Sequence, residues 1–441
     1  MSHTKLPKDW LDWVEINIQR DCDRSGMIEI LVEHGFSYEA ASEAVFCSEA
    51  TSPPPPLFIP CAEKIDTHKA EVFYVNNFLS PEECAQMIEL IQHHQRPSTT
   101  TNETGHYKHY RTSKTCDLSL LESTFVAEID QRICKMLGIE PSYSEGIQGQ
   151  WYDIGEEFKP HTDYFEPKSD EFLEHAEARG QRTWTFMIYL NNTQEGGGTF
   201  FPELGQRFLP SQGKAVIWNN LTTDGSPNPA TLHHGEPVKR GYKAIITKWF
   251  RSKGTADSAQ NREANENFPC HSQTGFLKSV IPEALFRKLL VFHHSNQNSA
   301  ITESVPGFIH SKEGEASSLI TLSDDMKEEI HATLKPIAEA WSGCLLKPTF
   351  VYGIREYHQG AVLEMHRDRL NTHEVSLILN IQQKTQEDWP LTIEDHFYRQ
   401  HQITMQPGQM LLYEGCRLLH GRPTPLKGSI FANIFVHYSV E

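Results

Sequence analysis

Short segments in which apolar, β-branched and aromatic residues alternate with polar ones recur along most of this chain. This spacing predicts β-strands, because successive side chains of a strand point to opposite faces of its sheet. Turn-forming residues separate the segments, and short strands at regular spacing are typical of double-sheet jelly rolls. The segments are Glu71–Leu79, Arg182–Leu190, Pro210–Trp218, Gly241–Phe250, Val375–Ile381, Pro407–Tyr413 and Phe431–Tyr438.

Apolar residues at helical spacing interrupt the strands at a few places. Ser80-Pro81-Glu82-Glu83 has the composition of a capping box with proline at the first helical position, and predicts a helix to about Gln92. The predicted fold is therefore mainly β with flanking helices (α+β), with tandem double-stranded β-helix (jelly-roll) domains after a small helical module. Further helices are expected at Leu120–Leu137, Val280–Phe292 and Ser323–Trp341.

Two stretches divide the chain. Thr51–Pro60 contains four consecutive prolines, so we expect an extended spacer, although such a run can also bind proline-recognising modules. Lys253–Ser272 is polar and nearly devoid of large apolar residues. We predict a small helical module at 1–50, a proline-rich linker at 51–70, a first jelly-roll domain at 71–253, a linker at 254–272 and a second jelly-roll domain at 273–441.

The N-terminal module has three short runs of apolar residues at helical spacing. Gly35 is expected to end the second helix, since glycine readily adopts the left-handed conformation. With the Gly35-Phe36 step, the three runs loosely resemble the ubiquitin-associated type of three-helix module, which implies a protein partner. The alternative, which we favour, is a structural cap on the domain that follows.

Charge and composition narrow the classes of function. The chain has 441 residues, with 40 Lys and Arg against 58 Asp and Glu, a formal net charge of −18 that disfavours nucleic acid or a membrane as partner. No apolar run approaches the length of a membrane span, and a signal peptide is lacking, so we expect a cytoplasmic protein. The nine cysteines are scattered and never in C-x-x-C spacing, which favours reduced thiols over disulfides.

One stretch carries candidate metal chemistry. Gln150–Asp163 combines an aromatic-rich strand pattern with His161 and Asp163, two positions apart. Positions i and i+2 of a strand share a face, so both side chains can hold one ion. A second histidine several strands downstream would complete a 2-His-1-carboxylate set, which leaves positions on a non-haem Fe(II) open for other ligands.

From about Glu71 to Ser252 the chain resembles the catalytic domain of the prolyl 4-hydroxylase group of 2-oxoglutarate- and Fe(II)-dependent dioxygenases. The matching residues follow the order of that group along four strands and their turns. They are Tyr152, Gly155, His161 and Asp163, then Arg182, Thr185 and Tyr189-Leu190-Asn191, then Gly197-Gly198-Thr199-Phe200-Phe201-Pro202, and then His233, Pro237, Gly241 and Lys243.

The resemblance implies a metal triad of His161, Asp163 and His233. In that family the distal histidine stands four residues before the proline and ten before the lysine that binds 2-oxoglutarate, which selects His233 over His234 and Lys243 over Lys248.

The chemistry of the lysine fits that role independently of the family. A buried lysine is a compact charge that can pair with the far carboxylate of 2-oxoglutarate. Tyr152 can add a hydroxyl donor to the same carboxylate.

The implied activity is hydroxylation of an unactivated C–H bond, most naturally of a peptidyl proline, with release of succinate and CO2. Fe(II), 2-oxoglutarate, O2 and L-ascorbate are the implied cofactors and cosubstrates, and a protein or peptide is the implied substrate. Selectivity is expected to depend on the polar segment Tyr164–Gln181, which would lie beside the metal as a loop or lid.

The second half of the chain repeats this logic in weak sequence register. A second H-x-D, His366 and Asp368, precedes a distal His420, which predicts a second metal site. Ten residues after His420 stands Ile430, so the expected anchor for 2-oxoglutarate is missing there. Basic residues on other segments are available instead, namely Arg355, Arg422 and Lys427. A second active oxygenase with a displaced anchor, an inactive metal-binding copy and a structural partner are all consistent with this pattern.

Two other classes of function compete with the dioxygenase. The first is a non-catalytic metal- or ligand-binding sensor or scaffold, which uses the jelly-roll domains and the N-terminal helices. The complete set of four site residues in the first copy favours an enzyme over it. The second is a zinc-dependent cupin-like enzyme, which leaves Lys243 unexplained.

Overall fold

The structure is a computed structural model that describes residues 5–19, 24–47, 57–98, 111–166 and 169–441. It separates into two compact units, Met1–Leu57 and Phe58–Glu441. The four consecutive prolines lie outside the described residues, whereas residues 57–70 of the predicted linker are described and include a short strand, Glu63–Lys64. The domain boundaries given above stay predictions.

Helices occur in both units. In the described ranges none of them is long and apolar enough to cross a membrane. They are α1 (Lys8–Gln19), α2 (Arg24–Glu33), α3 (Tyr38–Cys47), α4 (Pro81–His94), α5 (Thr124–Leu137), α6 (Asp170–Arg179), α7 (Glu283–Asn296) and α8 (Asp324–Ser342).

The N-terminal unit contains α1 to α3. Val14, Leu31 and Val45, one from each helix, are fully buried together, which explains the apolar spacing in the sequence. Gly35 follows α2 with φ +92°, a backbone conformation that favours glycine, and Phe36 joins the core. The predicted three helices are therefore present. The resemblance to a ubiquitin-associated module stays a prediction.

The second unit begins with a β-domain made of two facing sheets, which we call the first β-domain. Among the described residues the larger sheet has the order β1-β2-β11-β7-β14-β5-β4-β3, the smaller one has the order β10-β9-β12-β6, and β13 pairs with β8. The strands are β1 (Glu63–Lys64), β2 (Val72–Val75), β3 (Arg96–Pro97), β4 (Lys114–Asp117), β5 (Gln148–Tyr152), β6 (Phe158–His161), β7 (Arg182–Tyr189), β8 (Glu195–Gly196), β9 (Thr199–Phe201), β10 (Gln206–Phe208), β11 (Ala215–Asn219), β12 (His233–Gly235), β13 (Val238–Arg240) and β14 (Lys243–Arg251).

A second β-domain follows with matching topology. Its larger sheet has the order β15-β24-β21-β26-β19-β18-β16, and its smaller one has the order β17-β20-β25-β22-β23. The strands are β15 (Phe276–Val280), β16 (Ile301–Thr302), β17 (Ile309–His310), β18 (Ser317–Ile320), β19 (Leu346–Tyr357), β20 (Val362–His366), β21 (Val375–Thr385), β22 (Leu391–Glu394), β23 (Gln400–Ile403), β24 (Gln409–Tyr413), β25 (His420–Arg422) and β26 (Gly428–Val440).

Each β-domain buries one core between its two sheets. Met187, Phe201 and Trp218 lie in the core of the first, and Ile378 and Tyr413 lie in that of the second. Because strand side chains alternate between faces, the same strands that fill these cores also present their polar residues at the open end between the sheets. The fold is therefore mainly β in tandem double-stranded β-helices, as the sequence predicts.

The helices flank the larger sheets. The capping box of α4 is confirmed, since the Ser80 hydroxyl accepts a hydrogen bond from the Glu83 amide at 3.2 Å and the Glu83 carboxylate accepts one from the Ser80 amide at 2.8 Å. In the second β-domain, α7 and α8 bury Leu289, Ile330 and Leu334 against the outer face of the larger sheet. This burial fixes the sheet whose other face lines the site.

Two predicted segments differ from the structure. Tyr164–Gln181 was predicted as a loop but contains α6, which begins where the Ser169 hydroxyl accepts a hydrogen bond from the Phe172 amide at 3.0 Å. Its few apolar residues give no helical period, so the cap is the local reason for the helix. Val280–Phe292 was predicted as one helix, but Val280 ends β15, and α7 begins after Pro282. Pairing of β15 with β24 overrides helix propensity there.

Residues 254–272, predicted as a linker, contact both β-domains. On the first side, Arg262 donates to the carbonyl oxygens of Phe58 and Met136, both at 2.6 Å. On the second side, Arg417 donates to the carbonyl oxygen of Phe268 at 3.0 Å. The segment therefore fastens the two β-domains to each other through backbone carbonyls.

Candidate metal centres

His161, Asp163 and His233 come together at the open end of the first β-domain. One ligand atom from each lies within 4.8 Å of the others. His161 ends β6 and His233 begins β12, and the two residues face each other in the antiparallel register of these strands. Strand pairing therefore brings together two histidines that are 72 residues apart in the sequence.

Hydrogen bonds fix which nitrogen of each histidine faces the centre of this triad. The Nδ1 atom of His161 donates to the carbonyl oxygen of Lys159 at 2.7 Å, and that of His233 donates to Thr231 at 3.0 Å. A carbonyl oxygen only accepts, so each Nδ1 carries the proton and each Nε2 offers its lone pair. The imidazoles are oriented as metal ligands.

The carboxylate of Asp163 is oriented in the same way. Its Oδ2 atom accepts a hydrogen bond from the Thr185 hydroxyl at 2.7 Å, while Oδ1 lies 3.9 Å from Nε2 of His161. Asp163 itself is buried. One oxygen is thus held by the protein, and the other points toward the histidines.

Burial and the neighbouring charges set the ionisation of the triad. Burial, with His233 adding to it, lowers the pKa of His161 to about 3. Burial raises the pKa of Asp163, but His233, His161 and Arg182 outweigh that effect and keep it below its usual value. Two neutral imidazoles and one carboxylate are the donors that suit Fe(II).

Lys243 lies behind the triad, at the first position of β14. Its side chain is only 2% exposed, and its ammonium nitrogen lies 5.1 Å from the ring centre of Tyr152 and 5.6 Å from that of Tyr189. In the described part of the chain it forms no ion pair with a carboxylate. Burial lowers the pKa of Lys243 to about 7, with Glu236 opposing the shift.

Two other basic residues, Lys248 of β14 and Arg182 of β7, are already bonded within the protein. The ammonium group of Lys248 donates to Asp130 at 2.7 Å, and the guanidinium group of Arg182 binds both carboxylate oxygens of Glu145 at 2.7 and 2.8 Å. Lys243 is therefore the basic residue positioned to pair with an incoming carboxylate.

A small cavity of about 40 Å³ connects the triad with Lys243. Trp218 and Trp249 line it, and their buried indole nitrogens have, among the described residues, no hydrogen-bond partner. Buried donors without a partner are costly unless a ligand or water completes them. The donor set therefore fits a carboxylate ligand beside a divalent metal.

Tyr152 contributes its ring to this cavity. Its hydroxyl group donates to the side-chain oxygen of Gln150 at 2.8 Å. Opposite, Gly235 borders the lysine: a Cβ at that position would be in ordinary van der Waals contact with the Lys243 nitrogen, at 3.5 Å, so only a larger side chain would crowd it.

The second β-domain contains the same arrangement. His366, Asp368 and His420 bring one ligand atom each within 4.8 Å of the others, and His366 faces His420 in the register of β20 and β25. Each histidine again donates through Nδ1 to a carbonyl oxygen, at 2.8 Å in both cases. Oδ2 of Asp368 accepts from the Tyr413 hydroxyl at 3.1 Å, and Oδ1 lies 3.7 Å from His366.

The residue in the place of Lys243 is Phe431. Lys243 pairs with Tyr152 between β14 and β5, and in the second β-domain Tyr357, also nine residues before its H-x-D histidine, pairs with Phe431. The prediction that Ile430 takes this place is wrong by one residue, because the chain between the distal histidine and the closing strand is one residue longer. Neither Phe431 nor Ile430 carries a charge.

Arg422 occupies the position that corresponds to Gly235, two residues after the distal histidine. Its buried guanidinium group stacks over Trp389 at 4.7 Å and over Phe431 at 4.6 Å. One of its terminal nitrogens donates to the Trp389 carbonyl oxygen, and the other, among the described residues, has no partner. In the second β-domain the guanidinium group of Arg422 therefore occupies the space that Gly235 leaves free beside Lys243 in the first.

The cavity of the second β-domain is larger, about 290 Å³. Arg355, which lines it, binds both carboxylate oxygens of Glu303 at 2.6 and 2.7 Å. Lys427 lies outside it and pairs with Glu387 at 3.0 Å. Of the three alternative anchors, two are therefore neutralised by acidic partners, and Arg422 is enclosed by aromatic rings.

Sequence reasoning did not assign Thr185, Trp218 or Gly235 a role at the site. Thr185 belongs to the matched strand pattern, but its bond to Asp163 depends on the packing of the two sheets. The exchange of Gly235 for Arg422 was visible in the sequence, two residues after each distal histidine.

Comparison with known proteins gives concordant results. The family model of the 2OG-Fe(II) oxygenase superfamily matches residues 147–251. The human prolyl 4-hydroxylase subunit alpha-1 is 31% identical over 216 residues, which cover 48% of this chain and 40% of that protein. The chain thus spans less than half the length of these animal relatives. A probable prolyl 4-hydroxylase 10 of Arabidopsis thaliana is 34% identical over 205 residues, covering 42% of this chain and 68% of that protein.

Among solved structures, the chain is similar to the viral collagen prolyl hydroxylase of Paramecium Bursaria Chlorella virus-1 in its 2OG complex. The match has 25% identity and a TM-score of 0.34, and covers 41% of this chain and 96% of the viral one.

Proposed function

Because this chain belongs to the prolyl 4-hydroxylase family of 2-oxoglutarate- and Fe(II)-dependent oxygenases, we propose that its first β-domain hydroxylates a C–H bond of a peptidyl proline. The cosubstrate 2-oxoglutarate is converted to succinate and CO2 in the same reaction, and L-ascorbate supports turnover. The substrate is a protein or peptide rather than a nucleic acid or a membrane lipid.

His161, Asp163 and His233 hold Fe(II) in this proposal. The metal, when bound, supplies open coordination positions for the 2-oxo acid and for dioxygen. The protein keeps both imidazoles neutral and their Nε2 atoms aimed inward, through the carbonyl oxygens that accept from Nδ1. Thr185 keeps one oxygen of Asp163 occupied, which leaves the other for the metal.

Lys243 binds the far carboxylate of 2-oxoglutarate. This is the observation that carries the proposal: a buried ammonium group without a carboxylate partner stands behind a triad of metal ligands. A non-catalytic sensor or scaffold needs a metal site at most. Burial of an unpaired lysine costs free energy, and a sensor or scaffold gives that lysine no role. The indole donors of Trp218 and Trp249 can complete the same pocket.

For the second β-domain we propose metal binding by His366, Asp368 and His420 without turnover of 2-oxoglutarate. The support is the identical orientation of its histidines together with Phe431 in the place of the lysine. For the N-terminal helices, binding of a protein partner is the alternative to the structural cap that the sequence favours. A cytoplasmic location is proposed from the cysteines, since the seven whose side chains the structure describes are all free.

The activity can be tested directly. Purified protein with Fe(II), 2-oxoglutarate and ascorbate should convert 2-oxoglutarate to succinate when incubated with a lysate, and peptides that gain one oxygen on proline should be found by mass spectrometry. The matched control is His161→Ala, which removes one metal ligand. Equal succinate production and equal peptide oxidation by this variant would refute the proposal.

A further inference from the structure

A cluster of two thiols and one imidazole lies away from both triads, where the two β-domains meet. Cys61, Cys270 and His396 each bring one Sγ or ring nitrogen atom to within 4.8 Å of the others. Cys61 precedes β1 of the first β-domain, Cys270 belongs to the segment that joins the two β-domains, and His396 lies between β22 and β23. Residues 209 positions apart in the sequence thus place two sulfur atoms side by side.

The second β-domain holds the Cys270 segment in place. The carboxylate of Glu414 accepts hydrogen bonds from the amides of His271 and Ser272, at 3.1 and 2.8 Å, and from the Ser272 hydroxyl at 2.7 Å. These are the two residues that follow Cys270. Glu414 is therefore a positioning residue for the thiol.

The backbone around Cys61 forms a turn that fixes the position of this residue. Its φ is +53°, a left-handed conformation that is uncommon for a residue other than glycine. The preceding Pro60 is buried, and the next residue, Ala62, donates to the Ile59 carbonyl oxygen at 3.2 Å. Both cysteine residues are partly exposed.

The charges around the pair favour a thiolate over a bound cation. The Nε–H of Arg417 donates to Nδ1 of His396 at 3.0 Å, and Nε2 of His396 lies 3.1 Å from a carboxylate oxygen of Glu414. Both ring nitrogens are thus engaged, so a metal would have to displace one of these bonds, next to a positive guanidinium group.

The same groups stabilise the anion of one thiol. The hydrogen bond from Cys61 is the largest influence on Cys270, and together with His396 and Arg417 it lowers the pKa of Cys270 to about 4, against the effect of burial. The pKa of Cys61 is raised, first by the same hydrogen bond and then by burial. One nucleophilic sulfur and one protonated neighbour form an asymmetric pair.

We propose that Cys61 and Cys270 are a peroxide-reactive dithiol that closes to a disulfide across the junction of the two β-domains. The Cys270 thiolate attacks one oxygen of hydrogen peroxide, so an S–O bond forms, the O–O bond breaks, and the leaving hydroxide takes a proton to become water. The Cys61 sulfur then attacks the Cys270 sulfenic acid. The S–S bond forms as the S–O bond breaks, and the hydroxide leaves with the Cys61 proton as a second water.

The balance is two thiols and one peroxide on one side, and one disulfide and two waters on the other. The disulfide would join the start of the first β-domain to the segment that Glu414 and Arg417 hold against the second. Its loop would enclose the whole first β-domain.

The test uses the full chain, reduced and then treated with a stepwise increase in hydrogen peroxide. Peptide mapping without reductant should show a Cys61–Cys270 cross-link that dithiothreitol removes. Cys344 is the internal control, because it is also partly exposed and its sulfur lies 3.3 Å from Nδ1 of His271, but among the described residues it belongs to no cluster with a second cysteine. Cys344→Ser should leave the cross-link unchanged.

A second variant assigns the roles of the two sulfurs. In Cys61→Ser the sulfenic acid on Cys270 has no thiol to resolve it, so dimedone should label Cys270 at peroxide concentrations that leave Cys344 unlabelled. Oxidation of Cys344 ahead of Cys270 would overturn the proposal, and so would the absence of the cross-link. Zinc that copurifies with the wild-type chain and is lost in both Cys61→Ser and Cys270→Ser would overturn it in favour of a metal site.

Discussion

The two β-domains bring together the same three candidate metal ligands, with the same Nδ1–H bonds from the histidines to carbonyl oxygens. They differ in the residues that line the pocket next to these three. The first has the buried charge of Lys243 next to the open space at Gly235, and the second has Phe431 beneath the guanidinium group of Arg422. The comparison separates two requirements of an oxygenase, since strand register alone builds the metal triad, whereas binding the cosubstrate needs one more charged residue.

The largest difference in turnover between the two β-domains is expected when one histidine of each triad is removed in turn. His161→Ala should reduce succinate formation by more than the roughly 10–100-fold typical of losing an outer hydrogen-bond partner of a metal ligand. His366→Ala should leave most turnover in place, because Phe431 stands there in the place of Lys243 and Arg422 is enclosed by Trp389 and Phe431.

Both variants would be measured by succinate production at saturating Fe(II), with circular dichroism to verify folding. Loss of turnover in a folded His366→Ala variant would break the comparison, since the second β-domain would then be catalytic or coupled to the first.

The next effect concerns the anchor. Lys243→Ala should weaken 2-oxoglutarate binding by roughly 2 to 5 kcal/mol, more than tenfold in Kd, because it removes the buried partner of a carboxylate. Fe(II) affinity should stay nearly intact. The matched control is Phe431→Ala, at the corresponding register position, which should leave 2-oxoglutarate affinity unchanged. Isothermal titration of both variants would show whether the charge, rather than the packing at this position, carries the affinity.

A smaller effect on metal affinity is expected from removing the hydrogen bond that orients the aspartate. Thr185→Val keeps the shape of the side chain but removes the hydrogen bond to Oδ2 of Asp163, and should weaken Fe(II) binding by about 10–100-fold. Tyr413→Phe removes the 3.1 Å bond to Asp368 but leaves the hydroxyl of Ser376, the register counterpart of Thr185, at 3.5 Å from the same oxygen, so the second site should be weakened less. Metal titration of each variant measures this. An effect at only one of the two sites would mean that the shared geometry does not imply a shared role.

The smallest expected effect is a pH dependence of the affinity for 2-oxoglutarate. Burial lowers the pKa of Lys243 to about 7, so without cosubstrate its ammonium group is charged below that pH and neutral above it. The carboxylates of 2-oxoglutarate stay ionised over this range. Affinity should therefore be level below pH 7 and fall by about tenfold per pH unit above it, and the slope should vanish in Lys243→Ala. A pH-independent affinity in the wild-type protein would show that Lys243 does not pair with the cosubstrate.

Much of this arrangement was predictable from the sequence, for identifiable reasons. The alternation of apolar residues marks the strands, and the H-x-D spacing indicates that His161 and Asp163 are neighbours, although Asp163 lies two residues beyond the end of β6 rather than on the strand. Other features depend on distant packing. The Thr185 bond to Asp163 spans two sheets, and the neighbouring sulfurs of Cys61 and Cys270 follow from the contact between the β-domains. The choice of Phe431 over Ile430 follows from a one-residue difference in loop length, which a count from the histidine does not reveal.

The central claim is that one chain holds two metal triads but one cosubstrate site. The most direct measurement is the stoichiometry of binding under anaerobic conditions, with Fe(II) titrated first and 2-oxoglutarate second. We expect two metal ions and one 2-oxoglutarate per chain, and no high-affinity 2-oxoglutarate binding in Lys243→Ala. Two molecules of 2-oxoglutarate per chain, or one that still binds with wild-type affinity in Lys243→Ala, would contradict it.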